Sequence, residues 1–102
     1  MKHKFNAIRT EIDSKKFPSK LEANYYGQLK IRQSIGDIVF FLRQVGFELP
    51  GNVKYLVDFM VFYANGEIEF IDTKGKDTPL SIAKRKMVED VYPIKIKIVK
   101  KV

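Results

Sequence analysis

A β-hairpin in the middle of the chain sets the framework for the rest of the fold. Residues 55–63 and 67–74 are both rich in β-branched and aromatic residues, and Asn65-Gly66 lies between them. Two such segments around an Asn-Gly pair predict two antiparallel strands joined by a tight turn. The length of that turn decides which side chains face each other.

Turn chemistry alone allows two registers for this hairpin. A two-residue turn sets Asp58 opposite Thr73, whereas a three-residue loop with Gly66 as the left-handed residue of a G1 bulge sets Asp58 opposite Asp72. A slip of one residue would also place Glu69 on the apolar face of the hairpin. The hydrophobic pattern therefore favours the three-residue loop.

In that register the apolar face ends in a group of charged side chains, Asp58, Asp72 and Lys74. A carboxylate on an apolar strand face is costly unless it is paired or binds a metal. Carboxylate oxygens are preferred ligands of Mg²⁺ and Mn²⁺, so the group suggests phosphodiester hydrolysis. The alternatives are an Asp58–Lys74 salt bridge and an ordinary strand end. The apolar members of the face are Leu56, Met60, Phe62, Ile68 and Phe70.

Size and composition narrow the class of protein. A chain of 102 residues predicts one domain, and the absence of cysteine excludes a disulfide framework and a thiolate zinc site. With no membrane-length apolar run and no signal-peptide pattern, we expect an intracellular soluble protein. The 19 Lys and Arg against 12 Asp and Glu give a net charge of +7, which favours nucleic acid over a membrane as the partner. The alternative is that the surplus lysines only make the surface soluble.

The remaining elements follow from helix and strand patterns. Residues 1–17 suggest a basic arm and a short strand pair, and a helix from Ser19 to about Ile35 precedes a strand over 38–49. A second helix begins at Thr78-Pro79 and ends before Pro93, and a last strand follows it. Its predicted core face is Leu80, Ala83, Met87 and Val91, with Lys84, Arg85 and Lys86 facing elsewhere. The order predicts an α/β fold with a mixed sheet.

Five motifs in this order of elements resemble the PD-(D/E)xK nuclease superfamily, and within it the phage endonuclease I-like group that resolves Holliday junctions. Two departures are visible: Val57 precedes the first Asp where the superfamily has Pro, and Asp72 stands where the related resolvases usually have Glu. The second shortens a metal ligand by one methylene. The motifs are Phe17-Pro18-Ser19-Lys20-Leu21-Glu22-Ala23, Arg43-Gln44, Val57-Asp58-Phe59, Ile71-Asp72-Thr73-Lys74-Gly75 and Lys84-Arg85-Lys86.

The resemblance implies a restriction-endonuclease-like αβββαβ core spanning residues 1–102, with a central mixed sheet flanked by helices. It implies that Asp58, Asp72 and the Thr73 carbonyl bind Mg²⁺ or Mn²⁺, and that Lys74 positions the attacking water. Glu22 would complete the site through a second metal or a bound water, and it would come from the partner chain if the dimer is intertwined. Pattern alone favours a different role for Glu22, as the capping-box partner of Ser19, and it is the resemblance that favours the site.

By the same resemblance the chain is a metal-dependent endodeoxyribonuclease acting on branched DNA as a homodimer, encoded by a phage or prophage and working in the host cytoplasm without a nucleotide cofactor. The alternatives are a nuclease of this fold indifferent to branching, and a non-catalytic basic DNA-binding module whose aspartates only pair with lysines. Expected DNA contacts, each with a plain structural or solvated alternative, are Lys20, Arg43, Gln44, Lys76, Lys84, Arg85 and Lys86.

Overall fold

The computed structural model describes residues 10–102, which form an α/β fold with a mixed sheet and two helices. The predicted basic arm and the start of the first predicted strand lie outside the described residues. The elements are β1 (Thr10–Ile12), β2 (Lys15–Phe17), α1 (Lys20–Ser34), β3 (Ile38–Leu49), β4 (Val53–Tyr63), β5 (Ile68–Thr73), α2 (Pro79–Val91) and β6 (Ile96–Val99). The predicted order of helices and strands is confirmed.

The main sheet has the strand order β3-β4-β5-β6. Its first three strands are antiparallel neighbours, and β6 returns parallel to β5 after the crossover through α2. The short strands β1 and β2 pair with each other in a separate two-stranded sheet. The predicted mixed sheet is therefore confirmed.

The hairpin of β4 and β5 has the register of the three-residue loop. Phe59 pairs with Ile71, and the Tyr63 N–H donates to the Glu67 carbonyl at 2.9 Å. Gly66 has φ +92°, in the left-handed region that glycine tolerates best. Counting on from Phe59 and Ile71, Asp58 and Asp72 lie across from each other, as predicted.

The conformation of Gly66 predicts a local stability effect. We expect Gly66→Ala to lower the free energy of unfolding by about 1 to 2 kcal/mol, because an L-residue is strained at this φ. Gly27 is the matched control: it lies inside α1 with no neighbouring atom within 4 Å of an added Cβ, so Gly27→Ala should stabilise by up to about 1 kcal/mol. Urea unfolding of both variants measures the two effects, and equal shifts would contradict the assigned turn.

Two apolar clusters hold the helices against the sheet. The α1 cluster contains Phe17, Ala23, Tyr25, Tyr26, Leu29, Ile38, Phe59, Val61 and Ile71. The α2 cluster contains Leu49, Tyr55, Val57, Val88 and Ile96. Phe70 packs against the α2 cluster, whereas the next residue, Ile71, belongs to the α1 cluster. Successive strand residues point to opposite faces, so the helices cover opposite faces of β5.

The apolar face predicted for the hairpin is the more exposed of its two faces. Leu56 and Ile68 are about half exposed, whereas Val57, Phe59 and Val61 are fully buried. Both faces of β4 are apolar apart from Lys54 and Asp58, so alternation along the strand does not show which face the core covers. Met60 pairs with Phe70 and Phe62 with Ile68, so these four side chains share a face as predicted, but the predicted burial of the face is wrong.

The core face predicted for α2 is wrong. Leu80 and Val91 are 65% and 53% exposed, and Ala83 and Met87 are exposed as well. The side chains that α2 buries are Arg85 and Val88. The helix is oriented by the contact of Val88 with the α2 cluster and by a buried ion pair of Arg85, and neither is visible in the apolar periodicity.

Candidate active site

The first turn of α1 carries Glu22 into the interior. Ser19 is the N-cap, and its hydroxyl accepts a hydrogen bond from the Glu22 N–H at 3.1 Å. The Glu22 side chain is turned towards β3, where its Oε2 accepts from Gln44 Nε2 at 3.1 Å and lies 3.7 Å from Arg43 Nη2. Glu22 is only 2% exposed. Of the two capping-box hydrogen bonds, the one from the Glu22 N–H to the Ser19 hydroxyl is present, while the Glu22 carboxylate binds Gln44 in place of the Ser19 backbone.

An irregularity in β3 aims Gln44 at this carboxylate. Gln44 has φ +53°, and the pairing passes from Arg43–Phe59 to Val45–Val57, which leaves Gln44 across from Asp58. A residue in this conformation redirects its side chain relative to its strand neighbours. Gln44 Nε2 lies 3.5 Å from Asp58 Oδ1, at the limit of hydrogen bonding. The amide therefore bridges two carboxylates.

Asp58 and Asp72 connect β4 to β5 beyond the last regular pair of the hairpin. Asp58 Oδ2 accepts from both the N–H and the hydroxyl of Thr73 at 2.8 Å. In the reverse direction, the Asp58 N–H donates to Asp72 Oδ1 at 3.0 Å. These bonds fix one oxygen of Asp58 and leave Oδ1 on the side of Glu22 and Gln44.

Asp72 is the most deeply buried carboxylate of the group, at 1% exposure. Its second oxygen, Oδ2, accepts a hydrogen bond from the Tyr55 hydroxyl. Burial raises the pKa of Asp72, while hydrogen bonds from Tyr55 and the Asp58 backbone and the charge of Lys74 oppose that rise. Sequence reasoning missed Tyr55 as part of the site.

The electrostatics of the acidic cluster, defined as Glu22, Asp58 and Asp72, favour a bound cation. Burial raises the pKa of Glu22 to about 7, and the charge of Asp58 adds to the rise against the opposing effects of Arg43 and Gln44. The folded protein therefore keeps Glu22 partly protonated near neutral pH. A divalent ion among these oxygens would relieve the repulsion and favour the ionised form.

Lys74 directly follows β5, and its N–H donates to the Val99 carbonyl at 2.9 Å. The side chain is half buried, two residues from Asp72, and its charge opposes part of the rise that burial causes in the pKa of Asp72. Within residues 10–102 the carboxylates of Asp58 and Asp72 form no salt bridge within 4.0 Å. The alternative of an Asp58–Lys74 salt bridge is therefore wrong.

The oxygen donors of the acidic cluster suit Mg²⁺ or Mn²⁺, which proteins commonly hold through one or two carboxylates while water and phosphate oxygens complete the shell. Over residues 10–102, no group of three or more Asp, Glu, His or Cys side chains is arranged so that it could hold a metal ion by itself. Asp58 Oδ1 and the carboxylates of Glu22 and Asp72 are the groups that would hold the ion. Thr73 contributes its N–H and hydroxyl to Asp58, and its carbonyl stays a predicted ligand.

The residues predicted to contact DNA divide into three groups. Lys20, Lys76 and Lys86 are exposed, and Lys84 is half buried. Arg43 and Gln44 face Glu22 in the site. Arg85 is 8% exposed and forms a two-point ion pair with Asp77, so the prediction that Arg85 faces outward with its neighbours is wrong. Three consecutive helix residues span about 200° of the helix, and the middle one faces the sheet here.

Comparison with known proteins adds the family. The family model described as "Protein of unknown function (DUF1064)" matches residues 2–102. The chain belongs to the DUF1064 family. No curated protein and no solved structure gave a match. In the part of the DUF1064 chain that the structure describes, neither helix has the length and apolar character needed to cross a membrane.

Proposed function

We propose that this DUF1064 protein is a metal-dependent endodeoxyribonuclease that hydrolyses phosphodiester bonds in branched DNA. The observation that carries the proposal is a linked series of three carboxylates from three elements: the Asp58 backbone donates to Asp72 across the β4–β5 seam, and the Gln44 amide lies between Asp58 and Glu22. Burying so much negative charge is costly without a cation. The resemblance to PD-(D/E)xK nucleases supports the same chemistry.

Each residue has a distinct part in the proposed reaction. A bound Mg²⁺ would polarise the scissile phosphate and lower the pKa of a bound water. Asp58, held by Thr73, and Asp72, held by the Asp58 backbone, offer fixed oxygens to the ion. Glu22 adds a third carboxylate and can accept a proton near neutral pH. Lys74, close enough to influence Asp72, orients the attacking water.

The charge of the chain supports DNA as the substrate. The net charge is +7, and the exposed Lys20, Lys76 and Lys86 are free of the ion pairs found in residues 10–102. Such lysines would neutralise backbone phosphates and give an affinity that falls with salt. Arg43 contributes less to this surface, because its guanidinium is 3.7 Å from Glu22 and stacks over the Phe17 ring at 4.1 Å.

The apolar surface of the chain supports a homodimer. Large apolar side chains contact solvent in two places. One is the face of α2 that was predicted to be its core face, and the other is on the sheet, at the half-exposed Phe40, Leu42 and Ile68. Exposed apolar patches often mark protein interfaces. A twofold dimer would present two sites to a branched substrate and cut two strands symmetrically.

A non-catalytic DNA-binding module is the second candidate, and one observation favours it. Both oxygens of Asp72 and one oxygen of Asp58 already accept hydrogen bonds from within the chain. Buried carboxylates with internal donors can serve as structural links between strands without a metal. In that case the basic surface would bind DNA and no bond would be cut.

Cleavage of a synthetic four-way junction and of the matching linear duplex in Mg²⁺ tests these candidates. We expect the wild type to cut the junction alone, and Asp72→Asn to cut it more than about 100-fold more slowly, since losing even an outer partner of a metal ligand costs about 10- to 100-fold. Asp90→Asn, at an exposed position of α2, is the matched control and should cut normally. Equal cutting of both substrates would favour a structure-independent nuclease, and binding without cutting would favour the module.

A further inference from the structure

The hydroxyl of Tyr55 contacts Asp72 from inside the protein. Tyr55 is a buried member of the α2 cluster, and its ring packs among Val57 and Val88 while its hydroxyl donates to Asp72 Oδ2. Asp72 Oδ1 accepts from the Asp58 N–H. The two oxygens of this carboxylate therefore have two different donors, one from a side chain and one from the backbone.

A buried ion pair lies behind Tyr55. Arg85 Nη1 donates to Asp77 Oδ1 at 2.9 Å, and Nη2 donates to Asp77 Oδ2, which is the two-point geometry of a rigid guanidinium–carboxylate pair. The Arg85 guanidinium lies near the Tyr55 hydroxyl, where it offsets part of the rise that burial and Asp72 cause in the pKa of Tyr55. Hydrogen bonds therefore join Arg85 to Asp77 and Tyr55 to Asp72, and the Arg85 charge acts on Tyr55 between them.

This arrangement has a geometric consequence for Asp72. A carboxylate has about four acceptor positions, so one donor on each oxygen prevents rotation about the Cβ–Cγ bond and still leaves acceptor capacity on both oxygens. The affinity of metal sites depends on such outer hydrogen bonds, because they orient the ligand before the ion arrives. Tyr55 is well suited to this task, since the packing of its ring fixes the hydroxyl.

We propose that Tyr55 is a positioning residue that, supported by Arg85 and Asp77, fixes the Asp72 carboxylate in the orientation that binds the catalytic ion. The inference rests on the proposed function, in which Asp72 is a metal ligand. The proposal gives α2 a part in the site through Arg85, which helps to hold Tyr55, and not through the exposed lysines of the helix.

A purely structural role of Tyr55 makes a different prediction. If the hydroxyl only satisfies a buried carboxylate, its removal lowers stability and leaves the dependence on metal concentration unchanged. If the hydroxyl positions Asp72, its removal weakens ion binding, and excess ion restores the lost activity. The dependence of cleavage on Mn²⁺ concentration separates these roles.

The test compares Tyr55→Phe with wild type in Mn²⁺ titrations of junction cleavage and in direct Mn²⁺ binding. We expect the Mn²⁺ concentration for half-maximal cleavage to rise about 10- to 100-fold, with kcat recovering at saturating Mn²⁺ and the KM for DNA unchanged. Asp72→Asn should not recover. Tyr92→Phe is the matched control: Tyr92 packs against the same cluster, and its hydroxyl donates to the Glu48 carbonyl at 2.7 Å, away from Asp72.

Each outcome of this test decides the inference. A Tyr55→Phe protein with wild-type Mn²⁺ dependence overturns the positioning role and leaves the proposed function intact. A wild-type chain that takes up no Mn²⁺ overturns both. If Tyr55→Phe does not fold, Arg85→Lys replaces it, because lysine keeps the charge and loses the two-point geometry; a wild-type Mn²⁺ dependence there also overturns the inference.

Discussion

Replacing Lys74 with methionine should lower the rate of DNA cleavage by about 10²- to 10⁴-fold, the usual contribution of a group that orients or deprotonates a nucleophile. Lys74 is half buried and its charge opposes part of the rise that burial causes in the pKa of Asp72, while methionine retains the apolar length of the side chain. The side chain forms no salt bridge within the described residues, so the fold should persist. Single-turnover cleavage at saturating DNA measures the effect on the chemical step.

Lys76 supplies the matched control for this prediction. It is exposed two residues further along the chain, so Lys76→Met removes the same charge from nearly the same place. We expect it to weaken DNA binding in low salt and to leave the cleavage rate at saturating DNA nearly unchanged. If Lys74→Met cuts as fast as Lys76→Met, Lys74 has no part in the chemical step.

Replacing Glu22 with glutamine should raise the free energy of unfolding at pH 8 by up to about 3 kcal/mol. Burial and the charge of Asp58 raise the pKa of Glu22 from 4.5 to about 7 in the folded protein. Between these two values the folded chain holds a proton that the unfolded chain releases, so the stability of the wild type falls as pH rises through this window. Glutamine has the same shape and never ionises, so this loss should disappear.

Urea unfolding at several values between pH 4.5 and 8 measures this difference. The wild type should lose stability relative to Glu22→Gln across the window, and the two proteins should be similar at its acidic end. Glu48→Gln, an exposed position on β3, controls for the general effect of removing a negative charge. Parallel stability curves for wild type and Glu22→Gln would show that Glu22 ionises freely. A stabilised variant that also cuts poorly would be typical of a functional site kept at a cost in stability.

The hairpin was predictable because its turn leaves few choices. Gly66 can adopt the required left-handed conformation, and a slip by one residue would have mixed Glu69 into an apolar face. The position of Asp58 opposite Asp72 follows directly from that register. The starts of the helices were also predictable, because Ser19 and Thr78 are N-caps and Pro79 occupies the first helical position.

The burial of the strand and helix faces was not predictable from periodicity. Val57 and Phe59 share a strand face by alternation, yet they belong to different clusters. The residue between them, Asp58, lies across from Gln44, and the positive φ of Gln44 interrupts the regular pairing there. Tyr55 reaches Asp72 only because of this long-range geometry. Arg85 is likewise buried through its ion pair with Asp77. Its position between two lysines in the sequence does not reveal that burial.

Mn²⁺ binding to the purified chain tests most directly whether the acidic cluster holds an ion. Isothermal titration calorimetry compares wild type, Asp58→Asn and the control Asp90→Asn. It is run at pH 8, where Glu22 is largely ionised because its pKa is about 7. The account predicts stoichiometric uptake by wild type and Asp90→Asn, and loss of that uptake in Asp58→Asn. Uptake by Asp58→Asn equal to that of wild type, or no uptake by wild type, would contradict it.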